Sequence, residues 1–340
     1  MTEPVPPLSR RALLVGSLSA ALLGGLAACS GGDPAPQPEA SPTPVFPTTV
    51  THVYGKTTIE ADPQRIVVIG YTEQDVLLAL GLKPIATTQW VGDEPYAVFP
   101  WAKDELGDAK PTVLESVEGL QVDRIKELEP DLIIGTNSGL TRQDYDALSK
   151  VAPTIPNSGA SGNDYYEPWT SQTVLVGQAV GRQAQAQKLV DDLTQRFADL
   201  AAAHPQFDGI TAALAEAPYD DGSVIAWPDG LGTEFLTGLG FTIPESLSSY
   251  VSDDVAQAQI PGKDASVMND AKVIIWGTDT VEDGADIEKD KILGKLDAVK
   301  DGRSIYTGEP LTSAIYFSSI LSLPYVLDEL VPRLEKILPG

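Results

Sequence analysis

The chain has 340 residues, with 23 basic against 48 acidic side chains and a formal net charge of −25. No basic run follows Arg11, which speaks against a nucleic-acid partner, and a domain this acidic is not held on an anionic lipid surface by its own charge. Two histidines and one cysteine are a poor ligand set for zinc or manganese, and a lone cysteine forms no internal disulfide.

Ser9-Arg10-Arg11 precedes an apolar segment from Ala12 to Ala28, interrupted by Gly16, Gly24 and Gly25. It is shorter than the roughly 20 residues of a spanning helix. Its basic start and small-residue end are those of a signal peptide over residues 1–28. The arginine pair resembles a twin-arginine export signal, general secretion being the alternative. Leu26-Ala27-Ala28-Cys29 resembles a lipobox, whose cysteine is diacylated and becomes the new N-terminus. Cys29 is therefore the expected lipid attachment point, against the plainer alternative of an ordinary N-terminal anchor. Without the leader the chain keeps 21 basic against 47 acidic residues, a net of −26. Residues 29–48 carry six prolines and few apolar side chains, so they are expected to form an extended tether.

From there strand and helix patterns alternate. Arg65–Gly70 reads as a strand buried on both faces, followed by a helix with Val76, Leu77 and Leu80 closed by Gly81. Pro84–Thr88, Asp131–Gly135 and Pro153–Ile155 read as further strands, with helix faces at Val122–Leu128 and Tyr145–Val151. Over 171–203 proline and strand signals vanish, and Val176, Val180, Leu189, Leu193 and Phe197 recur at helical spacing. One helix of about 50 Å is expected there, the alternative being two helices broken near Gly177 or Gly181. The α/β pattern then resumes with strands at Thr211–Ala215, Ser223–Trp227, Ala271–Gly277 and Ser304–Tyr306. A short helix lies within Gly232–Gly238 and a final one over Ser318–Leu338. The reading is an N-terminal α/β lobe (49–170), a bridging helix (171–203) and a C-terminal α/β lobe (204–340).

Pro63-Gln64-Arg65-Ile66-Val67-Val68-Ile69, Leu80-Gly81-Leu82-Lys83-Pro84-Ile85, Gln121–Ile125 with Leu128–Ile134, and Val299–Tyr306 resemble, in order, segments of the iron-siderophore and cobalamin family of ABC-transporter substrate-binding proteins. The resemblance spans essentially the whole chain after the tether. It implies two Rossmann-like α/β lobes joined by a single long backbone helix, the class III binding-protein architecture, with ligand held between lobes. It also implies a monomer tethered on the outer face of the cell membrane, serving an ABC permease without catalysis or a resident cofactor. The ligand would be an iron(III)-siderophore complex, and no side chain would bind the metal directly.

Ligands of α/β lobes sit beyond the carboxyl ends of the strands. That rule selects Tyr71, Trp90, Asn137 and Ser138 in the first lobe and Trp227 and Trp276 in the second, with Trp101, Tyr165, Tyr166 and Trp169 in neighbouring loops. Rigid amphipathic aromatics suit a bulky chelate; each alone is as readily an ordinary core residue. Lys110 aligns with a place where ferric hydroxamate binders of the family carry an arginine. Arg142 and Arg303 follow as basic candidates, equally readable as solvated surface charges. Too few basic residues gather for a trianionic triscatecholate, so a neutral or cationic hydroxamate chelate is favoured. The family docks each lobe on the permease through an exposed acidic side chain. Asp123 and Glu234 are the expected pair, Glu234 being readable also as a carboxylate that stabilises its helix N-terminus. Haem is the main rival ligand, with Tyr71, Tyr165, Tyr166 or Tyr316 as axial candidates, and cobalamin is another. No G-x-S-x-G, Cys/His pair or phosphate loop suggests an enzyme.

Overall fold

Short apolar runs build two separate sheets in the computed structural model, which describes residues 43–115, 119–162, 165–217, 221–252 and 255–340. The signal peptide, Cys29 and most of the tether lie outside the described residues.

The first lobe opens with an antiparallel hairpin, β1 (Thr48–His52) and β2 (Gly55–Ile59). Its main sheet contains β3 (Ile66–Val68), β4 (Ala86–Thr88), β5 (Thr112–Leu114), β6 (Leu132–Gly135) and β7 (Thr154–Pro156). The spatial order is β5-β4-β3-β6-β7, all parallel. The second sheet contains β8 (Ala212–Glu216), β9 (Val224–Ala226), β10 (Ala258–Ile260), β11 (Val273–Trp276) and β12 (Ser304–Tyr306), in the order β10-β9-β8-β11-β12. Here β8, β11 and β12 are parallel, and β9 runs against both β8 and β10. Strand order therefore reverses between β3 and β6 in one lobe and between β8 and β11 in the other. Crevices open at such switch points.

Among the described residues, four α-helices lie among the first-lobe strands: α1 (Glu73–Ala79), α2 (Lys103–Leu106), α3 (Val122–Glu127) and α4 (Arg142–Leu148). The connector is α5 (Trp169–Ala179) followed by α6 (Gln183–Ala203). The expected single helix over 171–203 is thus divided, as in the alternative reading, at Gly181, whose φ of +66° lies in the left-handed region that glycine adopts without strain. Gly177 lets α5 fold back against Ala186 of α6; a Cβ there would overlap the alanine methyl. The bridging element is thus α6 alone, about 30 Å long. The tether expected through Thr48 also ends sooner. Val45 N–H donates to the Gly181 carbonyl at 2.9 Å, and the Phe46 ring covers that glycine.

The second lobe adds α7 (Glu234–Thr237), α8 (Gly284–Lys289), α9 (Asp297–Lys300), α10 (Leu311–Phe317) and α11 (Ser322–Ile337). The helix expected over Ser318–Leu338 starts later, because Ser318 adopts a left-handed conformation (φ +44°) and turns the chain. This α10–α11 turn reaches into the first lobe, and α11 returns beside α6, paired through Arg196–Asp328 and His204–Glu335. One apolar core runs through both lobes, joining Ile66 and Val68 to Val190, Leu193, Phe197, Leu214, Leu327 and Leu334. Burial of each such side chain contributes about 1.5–3 kcal/mol. Among the described residues no helix is long and apolar enough to cross a membrane.

Candidate ligand cleft

The ends of β3 and β6 meet at a buried polar knot. The Glu73 side chain, wholly buried at the start of α1, accepts from Thr72 N–H (3.0 Å), Asn137 N–H (2.7 Å) and Thr136 Oγ1 (3.1 Å). Burial pushes its carboxyl above the usual carboxylate range although these donors pull it down. Gly70 makes this possible, since any Cβ there would overlap the Glu73 carboxylate. Asn137 donates to Thr72 Oγ1 (2.9 Å) and accepts from Glu167 N–H (2.8 Å), and Gln172 bridges Thr72 and Thr136. The Glu167 carboxylate in turn binds the hydroxyls of Ser158 and Ser171. Asn137 is thereby fixed at the wall of a chamber of about 400 Å³.

That chamber lies between the lobes. Trp90, Asn137, Tyr166 and Trp169 contribute from the first lobe, Trp227, Gly232, Glu234 and Gln257 from the second, and Ile315–Ser318 from the C-terminal turn. Trp90 stacks on Tyr71 (centroids 5.6 Å, planes 22°), and Trp227 stacks on Tyr316 (5.2 Å, 23°). The Tyr316 hydroxyl donates to Glu216 at the end of β8. Burial and that carboxylate push the phenol far up, so it stays protonated. Burial also raises the Glu234 carboxyl and the Tyr166 phenol.

Glu216 and Tyr316 also border a second chamber of about 900 Å³ at the ends of β8 and β11. Asp93, Glu94, Glu216, Asp279, Asp283, Asp286, Asp290 and Glu309 line it. No lysine or arginine lines either chamber among the described residues. The described residues contain no group of three or more His, Cys, Asp or Glu side chains that could hold a metal ion.

The cleft thus gathers Trp90, Asn137, Tyr166, Trp169, Trp227 and Tyr316 from the sequence candidates. Tyr71 backs Trp90 from behind, and Ser138 turns inward to the Gly135 carbonyl. Trp101 also sits behind the wall, against Phe99 and Phe317. Trp276 is a correction: it is fully buried on the far face of β11 with Ile274, opposite Ile275, and donates to Ser304. The basic candidates are corrections as well. Lys110 and Arg303 precede β5 and β12, so they stand at the amino edges of the sheets, away from the strand ends that open the cleft. Arg303 is engaged by Asp301 and the Lys272 carbonyl. Arg142 begins α4, pairs with Asp146 at 3.0 Å and lies near the Tyr54 and Tyr145 rings. Glu234, expected at an exposed docking tip, is partly buried and faces the aromatic chamber instead, whereas Asp123 on α3 is exposed. Phe317, Glu216 and the acidic chamber lie outside the residues that the strand-end rule selects. The acid-rich stretch after β11, Asp279 to Asp290, was a signal visible in the sequence.

Residues 66–311 match the family described as periplasmic binding protein. The chain is 40% identical to a periplasmic solute binding protein from Mycobacterium smegmatis, covering 86% of this chain and 98% of that one at a TM-score of 0.79. It is 26% identical to the Streptococcus pneumoniae iron-uptake protein PiaA in complex with ferrichrome, covering 86% and 98% at a TM-score of 0.71. Among curated proteins, the probable siderophore-binding lipoprotein YfiY of Bacillus subtilis is 28% identical over 317 residues, 90% of this chain and 92% of that one.

Proposed function

Because the chain belongs to the periplasmic binding protein family, we propose that it is an extracytoplasmic receptor that captures a ferric siderophore between its lobes and delivers it to an ABC permease. One observation carries the ligand class: the interlobe cleft joins an aromatic chamber to an acidic one, with no basic side chain among the described residues lining either. Aromatic faces supply rigid contact to a bulky chelate, while the carboxylates repel an anionic complex and favour a neutral or cationic one. Hydroxamate chelates of iron(III) have that charge; triscatecholates carry three negative charges. The PiaA complex with ferrichrome, a neutral hydroxamate, supports the same choice.

Haem fits less well. An axial tyrosine acts as phenolate, whereas the Tyr316 hydroxyl is held protonated by Glu216 and burial raises Tyr166. Exposed Asp123 is the first-lobe candidate for permease docking. Lipid attachment at Cys29 would keep this monomeric receptor at the membrane, and a Cys29→Ser chain should be released into the medium with ligand affinity intact.

Mass spectrometry of ligand co-purified from iron-starved cells tests the reading. An iron(III) chelate is the expected species, and haem or cobalamin in its place would overturn it.

A further inference from the structure

The turn between α10 and α11 is a second-lobe element pinned into the first lobe by a buried ionisable group. Asp75 of α1 is 1% exposed. Its Oδ2 accepts from Trp101 Nε1 at 2.8 Å and from Ser319 Oγ of the turn, and its Oδ1 has no hydrogen-bond partner. Ser319 does more than donate. Its Oγ accepts from Ser322 N–H at 2.9 Å, and Ser319 N–H donates back to Ser322 Oγ at 2.9 Å, a reciprocal cap on α11. Asp75 therefore grips the capped start of the helix that returns to the second lobe.

Phe317, two residues upstream, carries the consequence into the cleft. Its ring packs on Phe99 (4.6 Å), Trp90 (5.1 Å) and Trp101 (5.1 Å), and with Ser318 it lines the aromatic chamber. One carboxylate oxygen thus fixes both the turn that presents Phe317 and the indole against which Phe317 rests.

We propose that Asp75 is the positioning residue of the ligand chamber, holding the α10–α11 turn in the first lobe so that Phe317 forms part of the chamber wall. The proposal deepens the ferric-chelate reading of the cleft and rests on it for its ligand-binding arm only. Burial moves the Asp75 carboxyl up to about 6, against the donors Ser319 and Trp101, and Glu105 adds a like charge. The costly form is the buried anion. Opening the seam returns that anion to water, so opening becomes easier as pH rises toward 6 and is fully promoted above it. With a shift of about two units, the opening constant rises by up to about 100-fold.

The test uses the full folded domain and two variants. Asp75→Asn keeps an oxygen to accept from Trp101 and Ser319 but does not ionise; Asp75→Leu removes the acceptor at similar size. In ligand-free protein, hydrogen–deuterium exchange of residues 317–323, corrected for intrinsic pH dependence, should rise between pH 4.5 and 7.5 in the wild type. It should stay flat in Asp75→Asn and be high at all pH values in Asp75→Leu. Affinity for ferrioxamine B by calorimetry at pH 7.5 should be retained by Asp75→Asn and fall at least about tenfold in Asp75→Leu with an unchanged circular dichroism spectrum. Exchange that is the same in all three proteins would overturn the proposal, as would a folded Asp75→Leu with wild-type affinity. If the wild type itself binds no ferric chelate, the function reading fails, and the exchange data still decide the role of Asp75.

Discussion

Tyr316 lies face to face with Trp227, centroids 5.2 Å apart and planes inclined by 23°, and its hydroxyl is tied to Glu216. Two glycines make room for the pair. A Cβ at Gly277 would overlap the Tyr316 hydroxyl, and one at Gly232 would press on the Trp227 ring. Sequence neighbours of two different strand ends thus preorganise one aromatic surface before any ligand arrives.

Trp227→Ala should remove half of that surface. A central aromatic anchor contributes about 2 kcal/mol, so calorimetry should report a ferric hydroxamate affinity about 30-fold weaker. The stability loss should be smaller than for a core tryptophan, because Trp227 is only partly buried. Unchanged affinity would remove Trp227 from the binding surface.

Gly70→Ala tests the polar knot under the cleft. The added methyl displaces the Glu73 carboxylate from three donors inside a region without water access. Overpacking costs about 1–3 kcal/mol, and separating a buried carboxyl from its hydrogen-bond donors adds to it. Urea denaturation should show a loss of at least about 2 kcal/mol, with weaker ligand binding because Asn137 is held by the same carboxylate. A wild-type midpoint would show that the knot adapts freely.

Glu234 gives a pH dependence. Burial raises its carboxyl above the ordinary glutamate value. Its folded-state contribution to stability is therefore complete below the unfolded value and declines as pH rises through the folded one. Ligand capture runs the other way, since only the ionised group attracts a cation. Affinity for a cationic chelate should fall on acidification, starting at a higher pH than an ordinary glutamate would allow. Glu234→Gln should flatten that part of the profile while leaving binding of a neutral chelate nearly unchanged. A flat wild-type profile would contradict the assignment.

The strands were largely legible because parallel strands buried on both faces read as continuous apolar runs; Leu132–Gly135 and Val273–Trp276 fall inside the expected segments. Thr112–Leu114 and Ala258–Ile260, each with a polar residue among its three, lack the continuous apolar run that marks a strand such as Ile66–Val68. The break at Gly181 is visible as a glycine cost, whereas the close packing of Gly177 on Ala186 is tertiary and leaves no local signal. The strand-end rule located the cleft aromatics Trp90 and Trp227, yet it does not say which face a side chain takes, and so it also selected Trp276. Phe317 carries no local signal of its place, because it reaches the first lobe from the far end of the chain. Lys110 and Arg303 misled for the opposite reason: their spacing to a strand was visible, while the amino end they occupy points away from the cleft; Arg142 follows the carboxyl end of β6 but pairs with Asp146 on its own helix.

The most direct measurement of the central claim is a side-by-side calorimetric titration of the protein with ferrioxamine B, a cationic hydroxamate, and with ferric enterobactin, a trianionic triscatecholate, at physiological ionic strength. An aromatic cleft walled by carboxylates, with no basic side chain lining it among the described residues, should bind ferrioxamine B at least about 100-fold more tightly. Equal or tighter binding of ferric enterobactin would contradict the account.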